Sequence, residues 1–219
     1  MKKLDDKTIL ETNRLCYDTL GANYTDGPRD LEIIKQNGIW QQFIDGLPKD
    51  GKKILNVGCG TGDASVWLAE HGYDVTSTDI APEMVRITAA KTPNSRSIVL
   101  GATELDQLDG EKFDGIFAIH VIQHLDKALI EQFFNQARAL LSDSGKLLLV
   151  FTNNCYSKSG YQPEGSQDGL FTVWYKHNLE DIVPLLNKTH FKPTQFWTQQ
   201  TIPDACGIAC PFAFICQKS

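Results

Sequence analysis

The sequence predicts an α/β sandwich of three layers, with helices on both faces of a mostly parallel, seven-stranded sheet whose C-terminal strand is antiparallel. Three observations carry that expectation. Short apolar, β-branched runs alternate with segments of helical periodicity over residues 50–151, the pattern of parallel strands joined by crossover helices. A glycine-rich turn, Val57-Gly58-Cys59-Gly60-Thr61-Gly62-Asp63, stands between the first strand and the helix that follows it. Two further strand-like runs end the chain and are placed to pair as an antiparallel hairpin.

The first strand is Lys53–Val57, entered through the turn signal Lys49-Asp50-Gly51. A helix over about 63–71 buries Val66, Trp67, Leu68 and Ala69 and stops at Gly72. The second strand runs over 74–79, and Pro82, at a favoured first-turn position, opens a helix over 83–90. Strands three and four are read at 97–100 and 113–120. The helix over 126–141 carries Ala128, Leu129, Phe133, Ala137, Leu140 and Leu141 at near-helical spacing. Gly145 leads into strand five, 146–151. Residues 152–170, rich in Asn, Ser, Gly and Gln with Tyr156 and Tyr161 interleaved, read as a long polar loop. Asn178 and Asp181 mark a capped helix reaching about 188, and 194–201 and 212–217 are the last strands. Ahead of the core, 6–20 and 29–45 read as two helices, and Trp40 on the second reads as a packing residue.

A chain of 219 residues suits one such domain. The formal net charge of −6, without any Lys/Arg cluster, argues against nucleic acid as the main partner. Met1–Lys7 turns acidic before any apolar run, and Leu147–Phe151 is far too short to span a bilayer, so neither a signal peptide nor a membrane span is expected. Cys16, Cys59, Cys155, Cys206, Cys210 and Cys216 form no paired framework and are read as reduced cytoplasmic thiols. No His stands near Cys206 and Cys210 at finger spacing, so no metal site is expected there.

Glycines at the first turn let the backbone swing tightly and let a ligand approach without meeting a Cβ. Asp79 ends strand two about twenty positions later, where a carboxylate accepts hydrogen bonds from ribose hydroxyls. Asp63 occupies the place where a dinucleotide binder wants a third glycine, and a carboxylate there repels a pyrophosphate. The turn, the acidic strand end and the end of strand four all lie at carboxyl ends of strands, the edge at which open α/β sheets bind ligands.

These residues resemble the class I S-adenosylmethionine-dependent methyltransferases, closely over 50–151 and more loosely outside it. The resemblance implies a Rossmann-like sandwich and S-adenosylmethionine as cofactor, with methyl transfer to a small molecule. It assigns Gly58, Gly60 and Gly62 to the methionine part of the cofactor, Asp79 to the ribose, and Ile80 and Met84 to the adenine. Phe113–Leu125 looks like the fourth-strand motif of the family, whose end, with Ile119 and His120, faces the sulfonium and the acceptor. Where the family often places an acidic adenine ligand, this chain reads Gly101-Ala102-Thr103-Glu104; Ala102 cannot make that bond, leaving a backbone group, Thr103 or Glu104. Tyr17 and Tyr24 resemble an N-terminal lid, in which a ring near the sulfonium gives a favourable cation–quadrupole contact; the alternative is that both merely pack the first helix. The expected single domain, 1–219, then divides into a helical lid (1–45), a cofactor core (50–151), a substrate loop (152–177) and a C-terminal helix and hairpin (178–219).

His120 and His124 are the titratable groups near this edge suited to taking a proton at neutral pH. His120 could equally orient the cofactor carboxylate, and His124 could be structural. Asn153 and Asn154, just past strand five, together with Tyr156 and Trp174, are candidates for the acceptor wall. Tyr161, Phe171 and Tyr175 could join them. No acidic metal ligands stand at the ends of strands four and five, no Asp/Asn-Pro-Pro-aromatic run follows strand four, and Cys210-Pro211 reverses the Pro-Cys order of cytosine-C5 enzymes. A nicotinamide oxidoreductase and a non-catalytic S-adenosylmethionine-binding module are the competing functions. No metal, membrane or nucleic-acid partner is expected, and a monomer or homodimer is.

Overall fold

The computed structural model describes residues 4–24, 38–154, 160–165, 171–198 and 209–219, with positions 32, 35 and 36 between the first two stretches. The elements in chain order are α1 (Asp6–Leu20), α2 (Ile39–Asp45), β1 (Lys53–Val57), α3 (Asp63–Glu70), β2 (Asp74–Asp79), α4 (Pro82–Lys91), β3 (Arg96–Val99), β4 (Phe113–Ile119), α5 (Lys127–Leu140), β5 (Leu141–Asn154), β6 (Gly160–Gly165), β7 (Phe171–Lys176), α6 (Leu179–Lys188), β8 (Phe191–Thr198) and β9 (Ala209–Lys218).

Seven strands form one sheet in the order β3-β2-β1-β4-β5-β9-β8. The pairs β1–β2, β1–β4, β2–β3 and β4–β5 are parallel. β9 is antiparallel to both β5 and β8, so β8 points with the others and β9 alone runs against them. That is the predicted sandwich with its antiparallel last strand.

The period of two along the strands feeds two separate cores. Leu147, Leu149 and Phe151 of β5 face a cluster with Ile130, Phe133, Phe134 and Ala137 of α5 and with Ile182 and Leu186 of α6. Leu148 and Val150 face the opposite cluster, with Ile39, Trp40 and Phe43 of α2 and Leu68 of α3. Trp40 is 2% exposed and meets Trp67 and Phe117 edge-on, ring centroids 5.6 and 5.4 Å away, which makes it a packing residue as the sequence reading has it.

β5 starts at Leu141 rather than 146, β8 at Phe191 rather than 194 and β9 at Ala209 rather than 212, and two stretches differ more from the sequence reading. The expected loop over 152–170 is partly built: β5 continues to Asn154, and β6 pairs antiparallel with β7 as a separate two-stranded sheet. The expected helix over 29–45 is α2 from Ile39 onward; Gly38, with φ 72°, breaks the backbone before it, and 25–31, 33, 34 and 37 lie outside the described residues. Among the described residues no helix is long and apolar enough to cross a membrane.

α5 starts on a side-chain cap: Asp126 Oδ1 accepts from the backbone N–H groups of Ala128 (2.9 Å) and Leu129 (3.0 Å). Asp126→Ala removes an acceptor for two first-turn donors and is expected to destabilise the fold by about 1 kcal/mol. Urea titration checks this; an unchanged midpoint would show that water replaces the cap at no cost.

Candidate active site

A cavity opens at the carboxyl ends of β1, β2 and β4. Its wall contains the whole turn Gly58–Asp63 together with Asp79, Ile80 and Met84, and Ile119, His120 and His124 from the β4 end. Tyr17 and Tyr24 close it from the N-terminal segment. The structure therefore gathers eleven of the proposed site residues around one space: Tyr17, Tyr24, Gly58, Gly60, Gly62, Asp79, Ile80, Met84, Ile119, His120 and His124.

The turn is shaped by left-handed backbone, with φ of 71° at Gly58, 51° at Gly60 and 86° at Gly62. Gly58 and Gly60 serve different ends. A Cβ on Gly58 would lie 2.3 Å from Val121 Cγ2, so this glycine lets the turn pack against the β4 end. A Cβ on Gly60 would meet nothing within 4 Å, because Gly60 faces the open cavity. Asp79 ties the turn to β2: its Oδ2 accepts from the Gly60 N–H and its Oδ1 from the Ala81 N–H, both at 2.9 Å. Burial pushes the Asp79 carboxyl above its ordinary range, and the N–H groups of Ala81, Gly60 and Ile80 oppose that rise. Asp63 pairs with Lys91 (3.3 Å) and accepts from Thr61 Oγ1 (3.1 Å), which keeps a carboxylate on the cavity wall at the start of α3.

His120 has φ 57°, left-handed backbone that is uncommon outside glycine and clusters where function demands it. Its N–H donates to the Val150 carbonyl (2.7 Å), and its Nδ1 lies 3.2 Å from Gln123 Oε1. His124 is bound on both ring nitrogens, Nδ1 to the Val173 carbonyl (3.1 Å) and Nε2 to the Tyr17 hydroxyl (3.0 Å). Burial holds its imidazole well below the ordinary histidine value, at about 4, with the Val173 carbonyl opposing and His120 reinforcing the depression.

The unfolded chain takes up this proton near 6.5 and the folded protein only near 4, so between these values unfolding binds a proton. Stability from this group is complete above 6.5 and falls as the pH drops toward 4. Allowing for the ring's cavity-facing side, the loss is about 1–2 kcal/mol. Thermal melts across this window should show a slope that flattens in His124→Gln; equal slopes would mean the ring is not held neutral. Burial lowers His177 as well, so a part of the slope remains in the variant.

Not every proposed residue reaches the cavity. Glu104 folds back, its Oε2 accepting from the Gly101 N–H (2.8 Å), and the Thr103 carbonyl accepts from Gln132 (2.7 Å) and Gln136 (3.1 Å). Leu100 and Ala102 line the cavity at this end instead. Asn153 and Asn154 lie at the end of β5, in register with Cys210 and Ala209, and their side chains are outside the described residues. Tyr156 and Cys206 lie outside the described residues, as does the side chain of Cys210, so the expectation of reduced thiols and no metal site there falls outside what is described. Trp174, on β7, sets its ring edge-on to His124 at 5.8 Å, and is not among the cavity residues.

Asn13, Leu10 and Asn56 line the cavity and were not singled out from the sequence. Asn56 donates to Ser65 Oγ (2.8 Å), bracing β1 against α3. Asn13 acts across 160 residues of chain: its Nδ2 donates to the Val173 carbonyl (3.1 Å) and its Oδ1 accepts from the Val173 N–H (2.6 Å). Asp18, one turn on, accepts from the Glu83 N–H at the start of α4 (2.7 Å). α1 is thus fastened over the cavity at both of its walls.

Residues 54–145 match the family model described as a methyltransferase domain. A ubiquinone biosynthesis O-methyltransferase of Methylocella silvestris is 32% identical over 149 residues, covering 57% of this chain and 57% of that protein. A ubiquinone biosynthesis O-methyltransferase of Bartonella tribocorum is 28% identical over 167 residues, covering 74% of this chain and 65% of that protein. The chain spans about one third to two thirds of the length of the curated relatives it matches. Among solved structures, the 1,6-didemethyltoxoflavin-N1-methyltransferase of Burkholderia thailandensis, with bound 1,6-didemethyltoxoflavin and S-adenosylhomocysteine, superposes with a TM-score of 0.69 at 17% identity, over 100% of this chain and 93% of that one. At that identity the likeness concerns the fold.

Proposed function

We propose that this chain, whose residues 54–145 match a methyltransferase domain, is a class I S-adenosylmethionine-dependent methyltransferase that transfers the methyl group of S-adenosylmethionine to a small-molecule acceptor. The observation that carries this reading is the cavity wall at Gly60: left-handed backbone with no atom within 4 Å of a built Cβ, fastened to a buried carboxylate at the end of the next strand. Backbone open on that side fits the methionine part of the cofactor, and Asp79 fits its ribose. The relatives named as ubiquinone biosynthesis O-methyltransferases support an acceptor of small-molecule class.

When bound, the cofactor supplies a methyl group on a cationic sulfur that leaves readily as a neutral thioether. The chain's own residues hold, orient and exclude water. Gly58, Gly60 and Gly62 accept the cofactor against backbone, Asp79 takes the ribose hydroxyls, and Ile80 and Met84 flank the adenine with Leu100 and Ala102 closing that end. The rings of Tyr17 and Tyr24, edge-on to each other with centroids 5.4 Å apart, offer electron-rich faces to the positive charge and cover the cavity. Asn153, Asn154 and Tyr156 are proposed for the acceptor side from their place in the sequence just past the core of β5, and Trp174 stands behind that side through its edge-on contact with His124. Most of the acceleration comes from holding the acceptor close and in line. His120, at the strand end, is the group placed to orient the reactants or to take the acceptor's proton. His124, neutral and held on both nitrogens, works as part of the wall.

The competing nicotinamide reading places a pyrophosphate beside Asp63, a residue of the cavity wall whose carboxylate is paired with Lys91. Calorimetric titration with S-adenosylhomocysteine and with a nicotinamide dinucleotide tests the cofactor. Binding of the first alone is expected, and binding of the dinucleotide alone would end the proposal. Release of S-adenosylhomocysteine across a panel of hydroxyl, amine and thiol metabolites then tests the acceptor class. Cofactor binding with no turnover on any of them would favour a non-catalytic binding module.

A further inference from the structure

Asn13 and Tyr17 stand one helical turn apart on α1, and both face the cavity. Asn13 grips the Val173 peptide on both sides, as a neighbouring strand would, with Nδ2 donating to its carbonyl and Oδ1 accepting from its N–H. The same carbonyl meets His124 Nδ1 at 3.1 Å. A carbonyl offers only lone pairs, so the hydrogen in that contact belongs to Nδ1. A neutral imidazole then presents a bare Nε2, and the Tyr17 hydroxyl, 3.0 Å away, is the donor to it. Asn13, Val173, His124 and Tyr17 therefore close a hydrogen-bonded ring whose ends are joined along one turn of α1.

We propose that Asn13 is a positioning residue that, by holding the Val173 carbonyl, fixes His124 in its Nδ1–H form and so turns the Tyr17 hydroxyl proton toward the ring. This rests on the cavity being the functional site but not on the identity of the methyl acceptor. In water a neutral histidine favours the other tautomer, with hydrogen on Nε2; here the carbonyl, aimed by Asn13, reverses that preference. A hydroxyl already donating to Nε2 can meet any ligand only as a hydrogen-bond acceptor. Asn13 thereby decides, through two intervening groups, what polarity the Tyr17 wall presents.

Beside His124 stand His120, the Trp174 ring edge and the Tyr17 ring, with centroid separations of 5.8 Å to Trp174 and 5.5 Å to Tyr17. None of these competes for the Nδ1 hydrogen, since Nδ1 is already directed at Val173.

Long-range nitrogen–proton correlation spectra of the full-length protein, 15N-labelled and at neutral pH, test this without any turnover. For wild type the expected pattern is a protonated Nδ1 and a bare Nε2 for His124. Asn13→Ala should lose that single-tautomer pattern and give a mixture. Asn13→Asp keeps an acceptor toward the Val173 N–H but loses the donor and sets a charged carboxylate oxygen against the Val173 carbonyl, and it should show the same loss if Asn13→Ala folds poorly. Tyr17→Phe should retain the Nδ1–H form, because the carbonyl sets it. A wild-type ring protonated on Nε2, or an unchanged tautomer in both Asn13 variants with the fold intact, would overturn the proposal. Failure of S-adenosylhomocysteine to bind would leave these spectra unchanged and bears on the proposed function alone.

Discussion

Gly60→Val is expected to weaken S-adenosylhomocysteine binding at least about a hundredfold, a loss near 3 kcal/mol, while the protein stays folded. A Cβ at this position meets no atom within 4 Å, so the protein itself does not oppose the start of the side chain. The isopropyl group enters the space that the methionine part of the cofactor is proposed to occupy. The left-handed backbone, φ 51°, adds a strain of about 1–2 kcal/mol that a melting curve should register as a modest drop. Gly58→Val is the contrast. Its Cβ would lie 2.3 Å from Val121 Cγ2, so that variant should lose stability rather than reveal a binding defect in a folded protein. Calorimetry and thermal melts on both variants check the pair. Normal affinity in Gly60→Val would mean that the cofactor does not pass this turn.

Asp79→Ala should weaken cofactor binding by about 1.5–3 kcal/mol, the range for losing charge-assisted hydrogen bonds. It should also destabilise the free protein. The carboxylate serves the N–H groups of Gly60 and Ala81, each at 2.9 Å, in a site 8% exposed, and donors stranded there cost about 1–3 kcal/mol each unless water enters. Asp79→Asn separates these effects. It keeps one acceptor oxygen while losing the charge, so it should recover part of the stability and less of the affinity. Titration with S-adenosylhomocysteine beside urea unfolding gives both quantities. Unaltered affinity in Asp79→Ala, with the turn still formed, would remove the ribose assignment.

The sheet core was legible because punctuation and periodicity agreed. Gly51, Gly72 and Pro82 bound short apolar runs, and β1 and β2 fall on the residues the sequence indicates, whereas Gly145 lies inside β5 rather than before it. The glycine turn was legible for the same reason, since left-handed backbone requires glycine and strand ends collect ligands. What stayed hidden depends on contacts between distant residues. Nothing around Asn13 indicates that its amide completes a strand edge at Val173, or that the peptide it holds also orients His124. The two readings of His124, base or structural, could not be parted by spacing; burial and the contacts of both ring nitrogens are what support the proposed structural one. Thr103 and Glu104 were attractive by position alone. Glu104 instead finds a nearer donor in its own turn, the Gly101 N–H, which a one-dimensional reading does not weigh.

β9 is the last strand along the chain, yet it sits inside the sheet, between β5 and β8. During synthesis, therefore, the parallel core can assemble early while the flank of β5 waits bare, with Leu147–Phe151 beside an unsatisfied row of amides and carbonyls. Only when residues 209–218 emerge can that gap be filled and β8 gain its partner. A chain interrupted before this point keeps the cavity residues of β1, β2 and β4 but carries an open apolar edge, a template for pairing with other nascent chains.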